Sequence, residues 1–302
     1  MQKTVYAKSS MDRKSEYRLI TRIYEEDGIR KVEKIAQNSS AAAHVEHMAQ
    51  IASDLVYATE NVRLVPCQKV AEGCVLSPYI VGQRLDKLIA EYTKKHQWEK
   101  VYENIKFWQK LILNVDTKHP FQVCAEFEQI FGTHPELEGF EAAANLNIDM
   151  SASNIIMAEY TYIMDYEWTF NFDIPLKYIV YRSILCSENI AMLPDDVKKK
   201  VEDSLNISEK EKKIFDQMEV SFQQYIAGLS LGGLYEKMPV INYRIEAGSA
   251  QNVLSFEQVT PCGEKISTET EWQKSDSERE LELIKNSRSW KMILFLKRLL
   301  KR

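Results

Sequence analysis

Apolar and polar positions alternate with two different periods along this chain, and the change comes near residue 82. From Tyr17 to Gln37, "YRLITRIYEEDGIRKVEKIAQ", two strand-like runs flank "EEDG", where Gly28 can take a positive φ. That pattern predicts a β-hairpin. Ser39 or Ser40 then stands where a helix cap belongs, and the helix is expected to run through Leu55. His44, Met48, Ile51 and Leu55 share one of its faces at helical spacing. "VRLVPCQKVAEGCVLSPYIVG" returns to short strands divided by turn residues. Residues 1–82 therefore read as a small β-rich lobe with one helix.

Beyond it the period lengthens. "QRLDKLIAEYTKKHQWEKVYENIKFWQKLILNV" is rich in helix formers at helical spacing, and Pro175 to Ile226 repeats that character. Between them lies one short β-containing insert. Residues 83–235 thus form a larger helical lobe, and residues 236–275 a β-hairpin extension turning around Pro261 to Gly263. Residues 276–302 form a basic amphipathic tail. The fold class expected is α+β, a small antiparallel sheet lobe followed by a helical lobe, with a C-terminal amphipathic helix.

Composition narrows the class. The 302 residues carry a net charge of -5, which argues against a general nucleic-acid binder. No apolar run reaches the roughly 18 residues that span a bilayer, and "MQKTVYAKSSMDRK" has no signal-peptide core. The five cysteines are scattered without a CxxC pair, so buried, reduced thiols of a cytoplasmic protein are expected.

The insert carries the candidate chemistry. Phosphoryl transfer needs a cation for phosphates, oxygen ligands for Mg²⁺, and a base for the attacking hydroxyl. Asp149 and Asn154 lie five positions apart, as base and metal-binding amide do in kinases. "IIMAEYTYIMD" then gives two short strands joined near Ala158 and Glu159 that end in Asp165, the second metal ligand. On the small lobe, "VEK" places Lys34 at the end of an alternating strand. Glu46, the one Glu between Lys34 and Leu55, is the default partner for that lysine. "LSPYIVGQRLDKLI" resembles the hinge of small-molecule kinases, where backbone groups around Ser77, Tyr79 and Ile80 would read adenine.

"NIDMSASNII" followed by "IMDYEWTFNFDIPLKYIVYRSI" resembles a domain of bacterial cell-surface polysaccharide proteins. That domain occurs beside glycosyltransferases and O-antigen methyltransferases, including bifunctional methyltransferase–kinases. It belongs to the protein-kinase-like superfamily, with an aminoglycoside-phosphotransferase character. "VEKIAQNSSAAAHVEHM" is similar to the same family's small-lobe pattern, with Lys34 and His44 at the matching places. The resemblance covers most of residues 17–190 and the last 20, and "DYEWTFNFDIP" is its most specific part. It implies ATP and Mg²⁺, with Lys34 on phosphate, Asp149 as base, and Asn154 and Asp165 on metal. Glu167 matches the family without a role that spacing supplies.

The chain also departs from the pattern. It has no glycine between Met1 and Asp27, hence no glycine-rich loop over the phosphates. Asn147 stands where the family's His precedes the base, and the metal Asp opens "DYE". The function expected is an ATP- and Mg²⁺-dependent kinase acting on a sugar hydroxyl of a surface glycan or its lipid-linked precursor. The alternative is a pseudokinase scaffold for a glycosyltransferase partner. A glycosyltransferase proper is disfavoured by the lack of a DxD motif. Residues 285–302 hold seven Lys or Arg and no acid, around Trp290, Leu294 and Leu299. That composition suits peripheral contact with the inner face of the cytoplasmic membrane, or a groove on a partner.

Overall fold

In the computed structural model, residues 2–10, 12–54, 61–115 and 117–227 are described. All described residues lie in one compact unit. Leu55, the turn at Pro261 to Gly263 and the basic tail lie outside the described residues.

The first lobe is built from Lys3–Ser9 (β1), Leu19–Glu26 (β2), Ile29–Ala36 (β3), Ala42–Asp54 (α1), Val62–Leu64 (β4), Gln68–Ala71 (β5) and Cys74–Pro78 (β6). Five of the strands form one antiparallel sheet in the order β1-β2-β3-β6-β5. The β2–β3 hairpin turns through Asp27 at φ 52° and Gly28 at φ 77°. Two positive φ angles are what a tight hairpin matching the strand twist requires. The helix is capped by Asn38, not by the expected Ser39 or Ser40: its Oδ1 accepts from the Ala41 N–H at 3.1 Å, through a short 3₁₀ turn leading into α1.

The buried face of α1 keeps Met48 and Ile51 of the one expected and adds Val45. Val45, Met48 and Ile51 pack with Leu19, Val75 and Tyr166 in a small core, while His44 is half-buried beside it. Burial of about 2 kcal/mol per aliphatic side chain outweighs any preference for placing an imidazole there.

The second lobe runs through Gln83–Arg84 (β7), Leu85–Lys94 (α2), Trp98–Leu113 (α3), His119–Pro120 (β8), Ala125–Phe131 (α4), Glu141–Ala143 (β9), Leu146–Asn147 (β10), Ile155–Met157 (β11), Thr161–Ile163 (β12), Thr169–Phe170 (β13) and Ile174–Pro175 (β14). It continues with Leu176–Val180 (α5), a π-helical turn at Tyr181–Leu185, Glu188–Ala191 (α6), Asp195–Leu205 (α7) and Glu209–Ala227 (α8). Trp108, Phe127, Phe131, Tyr178, Phe215 and Phe222 are among its fully buried side chains.

A four-stranded sheet, β4-β12-β11-β7, joins the lobes, with β4 parallel to β12. Gly82 enters it with no room for a side chain: a Cβ there would lie 2.6 Å from Ile156 Cγ2 and 2.7 Å from the Met157 carbonyl oxygen. The chain is therefore α+β, a small antiparallel sheet lobe followed by a mainly helical one. Of the cysteines described, Cys67, Cys74, Cys124 and Cys186 are free thiols. Only Cys74 among them is buried.

Candidate active site

The loop from Ile148 to Asn154 is held by hydrogen bonds from five directions. The Asp149 N–H donates to Asn147 Oδ1 at 2.9 Å, and the Ile148 N–H to the Trp168 carbonyl at 3.1 Å. Trp108 Nε1 donates to the Met150 carbonyl at 2.7 Å, and Arg182 Nε to the Ile148 carbonyl at 3.2 Å. Asn154 Nδ2 closes the loop by donating to the Asp149 carbonyl at 2.9 Å. Ile148 and Met150 are buried, so the chain turns the half-buried Asp149 away from the core between them.

Behind this loop Arg182 pairs with Glu219, which also accepts from the Tyr178 hydroxyl at 3.1 Å. Burial disfavours the guanidinium charge, yet Glu219, Tyr178 and Asp149 outweigh it and hold the Arg182 pKa above its ordinary value. Burial also works against the Glu219 carboxylate, but Arg182 keeps its pKa below the usual range.

Asp165 follows the β11–β12 hairpin that the sequence indicated. The Met164 N–H donates to the Asn154 carbonyl at 2.9 Å, which sets the end of β12 beside the loop. Asp165 itself adopts φ 60°, a left-handed conformation that Asp tolerates better than most side chains. Tyr166 then plugs into the small core of the first lobe and donates its hydroxyl to the Val65 carbonyl at 2.8 Å.

Lys34 lies in the middle of the first sheet, paired with Thr21 on β2 and Val75 on β6. Its Nζ donates to Asp165 Oδ1 and, at 3.3 Å, to Glu167 Oε2. Burial lowers the pKa of such an ammonium, but the two carboxylates more than offset it and Lys34 lies above its ordinary value. Lys34 thus meets Asp165 directly, while Asn154 holds the backbone of Met164, next to Asp165, and that of Asp149.

The expected partner of Lys34 is elsewhere. Glu46 accepts from Lys69 Nζ at 2.6 Å and from the Gly73 N–H at 2.8 Å. These two hydrogen bonds keep the Glu46 carboxyl below the usual range. The cause is the helical phase: with Val45 buried, the next residue is turned about 100° round the helix, toward the β5–β6 turn. Glu167 takes the place instead. Its side chain is only 2% exposed, and its second oxygen accepts from Arg13 NH2 at 2.7 Å. The signal for Glu167 was present in the "DYE" tripeptide. Arg13, 154 positions away, carried none.

Arg13 also lies over the Trp168 ring at 5.3 Å. His44 sits against Trp168 and Tyr17, with ring centroids 4.9 and 5.2 Å away. Its Nε2 is buried with no hydrogen-bond partner among the described residues, and burial pushes its pKa down to about 4. His44, Glu167, Trp168 and Tyr225 also line a cavity of about 250 Å³.

The segment expected to serve as a hinge lies at the end of β6. Ser77 pairs with Val32 on β3, and the Tyr79 N–H donates to the Arg30 carbonyl at 3.3 Å. The pairing of β5 with β6 ends at Gln68 and Leu76, just before Ser77. Ser77, Tyr79 and Ile80 thus follow the last rung of that ladder, but the Tyr79 donor is already engaged by β3.

The donor set fits the expected ligands. Asn154 spends its amide N–H on Asp149, which leaves its carbonyl oxygen as an acceptor, and Asp165 adds a carboxylate. One or two such oxygens, completed by phosphate and water, are what Mg²⁺ takes in nucleotide sites. Among the described residues no cluster of three or more His, Cys, Asp or Glu is placed to hold a metal by itself.

No protein-family model and no curated protein matches this sequence. Solved structures are similar to it at low identity. The aminoglycoside phosphotransferase APH(4)-Ia shares 12% identity over 78% of this chain and 89% of that one, with a TM-score of 0.44. The choline kinase LicA from Streptococcus pneumoniae shares 10% over 78% and 86%, with a TM-score of 0.43. The macrolide 2'-phosphotransferase MphH from Brachybacterium faecium shares 8% over 76% and 87%, with a TM-score of 0.36. These likenesses are distant.

Proposed function

We propose that this chain is an ATP- and Mg²⁺-dependent phosphotransferase whose acceptor is a sugar hydroxyl in bacterial surface-polysaccharide biosynthesis. The observation that carries the reaction type is the Lys34–Asp165 contact beside the loop that bears Asp149 and Asn154. A cation, two oxygen ligands and a carboxylate base are the parts that phosphoryl transfer needs. The acceptor class is supported by the resemblance of the "DYEWTFNFDIP" block.

In this reading Asp149 accepts the proton of the acceptor hydroxyl as its oxygen attacks the γ-phosphorus. The bond from that phosphorus to the bridging oxygen breaks, and ADP leaves with the electron pair. Lys34 steadies the phosphate oxygens, and the segment from Ser77 to Ile80 faces the base. Asn154 and Asp165 would hold Mg²⁺, which supplies charge neutralisation on the phosphates when bound. Among the described residues no helix is long and apolar enough to cross a membrane. In this reading the protein works in the cytoplasm, with residues 285–302 as a peripheral contact on the membrane's inner face, near a glycosyltransferase partner.

The scaffold reading draws on a different observation. The connection from β1 to β2 has no glycine and is fastened to α8, where the Lys14 N–H donates to the Ile226 carbonyl at 2.8 Å. Turnover separates the two. ATP consumption in the presence of lipid-linked glycan is expected for the unchanged chain and is expected to vanish in Asp149→Ala while nucleotide still binds. Equal ATP consumption by both proteins would remove Asp149 from the role of base. Nucleotide binding without any turnover would favour the scaffold.

A further inference from the structure

Glu167 is a carboxylate that phosphoryl transfer does not require, yet its side chain is 2% exposed. A charge buried that far is retained only where cations and hydrogen bonds compensate it. Both of its oxygens are committed. Oε1 accepts from Arg13 NH2 at 2.7 Å, and Oε2 from Lys34 Nζ at 3.3 Å. Helix α1, the element expected to supply an acid for Lys34, offers Glu46 to Lys69 and presents His44 at the Glu167 side.

Arg13 reaches Glu167 from the β1–β2 connection, at the end of the sheet where Lys34 lies. Its own backbone and side chain are held in turn. The Arg13 carbonyl accepts from Arg18 Nε at 2.7 Å, and NH1 donates to the Tyr17 carbonyl at 3.4 Å.

We infer that Glu167 is a positioning residue for Lys34, in place of an acid from α1, and that Arg13 fixes Glu167 for that task. The inference rests on the phosphotransferase reading and adds to it the arrangement that keeps the phosphate-binding cation in register. Lys34 is shared between Asp165 and Glu167. When Asp165 turns to a metal ion and Lys34 to phosphate, Glu167 is the anion that still holds the ammonium over the cleft. With Glu167 neutral, Lys34 has Asp165 alone as partner, and cation and carboxylate each occupy the other's working position.

The test compares ATP with adenosine. Both bind through the hinge, but only ATP carries the phosphates that Lys34 meets. Dissociation constants for each are measured with Mg²⁺ by calorimetry on the full chain and on Glu167→Gln, Arg13→Ala and Arg13→Lys. The expected result is ATP binding weakened about tenfold in Glu167→Gln and Arg13→Ala, with adenosine changed by less than about twofold. Arg13→Lys is expected to restore most of the ATP affinity.

Equal weakening toward ATP and adenosine would show that the pair merely supports the fold, and unchanged ATP affinity would overturn the inference outright. If Glu167→Gln does not fold, the two Arg13 variants decide on the same criteria. The phosphotransferase reading fails separately: there, the unchanged chain binds ATP no better than Asp165→Ala does, and the inference falls with it.

Discussion

Asn154 Nδ2 donates to the carbonyl oxygen of Asp149 at 2.9 Å, five residues back along the same loop. The bond is 4% exposed at Asn154 and fixes the turn that carries the proposed base. The same residue, through its own carbonyl, receives the Met164 N–H and so sets the place of Asp165. Asn154→Ala is therefore expected to leave the Asp149 carbonyl without its partner and to destabilise the chain by about 1–3 kcal/mol. Urea denaturation measures this, and a change below about 0.5 kcal/mol, the range of ordinary surface substitutions, would mean that the bond does not organise the loop.

Arg182 and Glu219 form a largely buried pair behind the loop, their side chains 17% and 13% exposed. Removing one partner leaves the other charged and uncompensated, which typically costs about 3–5 kcal/mol. Arg182→Met is expected to fall in that range, and the double variant Arg182→Met/Glu219→Leu to be less damaging than the single one. A double-mutant cycle by chemical denaturation checks the sign. Additive losses would show that the two charges do not compensate each other.

His44 gives the fold a pH dependence. Its pKa is about 4 in the folded chain, against an ordinary 6.5, because burial disfavours the imidazolium. The unfolded chain therefore binds the extra proton between pH 6.5 and pH 4, and stability falls as pH drops through that window. His44→Gln is expected to remove part of the loss between pH 7 and pH 5, on the order of 1 to 2 kcal/mol. Parallel stability curves for the two proteins over that interval would contradict the buried, neutral state.

Gly82 is tested by adding one methyl group. Gly82→Ala drives a Cβ to within 2.7 Å of the Met157 carbonyl oxygen, a backbone atom that cannot rotate away. A loss of about 1–3 kcal/mol is expected from such overpacking, read from the thermal midpoint. An unchanged midpoint would show that β7 can move off β11 without cost.

Much of the site was legible because its parts are local. The five-residue step from Asp149 to Asn154 lies within one loop, and the β11–β12 hairpin delivers Asp165 at a distance set by strand length. The Asp27–Gly28 turn was readable for the same reason, since positive φ angles demand particular residues. What failed depended on helical phase or on contacts distant in sequence. The phase of α1 turns Glu46 toward Lys69 and away from Lys34. Strand β1, "KTVYAKS", is exposed along its whole length and has no buried face to mark it. Arg13 meets Glu167 only because the β1–β2 connection folds against the second lobe, and no spacing rule announces such a contact.

The central claim is that Lys34, Asp149, Asn154 and Asp165 serve one nucleotide site. It is tested most directly by the thermal midpoint of the full chain with and without ATP and Mg²⁺, beside that of Asp165→Ala. Ligand at a hundredfold excess over its dissociation constant stabilises the folded state by about 2.7 kcal/mol. The account predicts an upward shift for the unchanged chain that needs both ATP and Mg²⁺ and is absent in Asp165→Ala. No shift at millimolar ATP with Mg²⁺, or the same shift in both proteins, would contradict it.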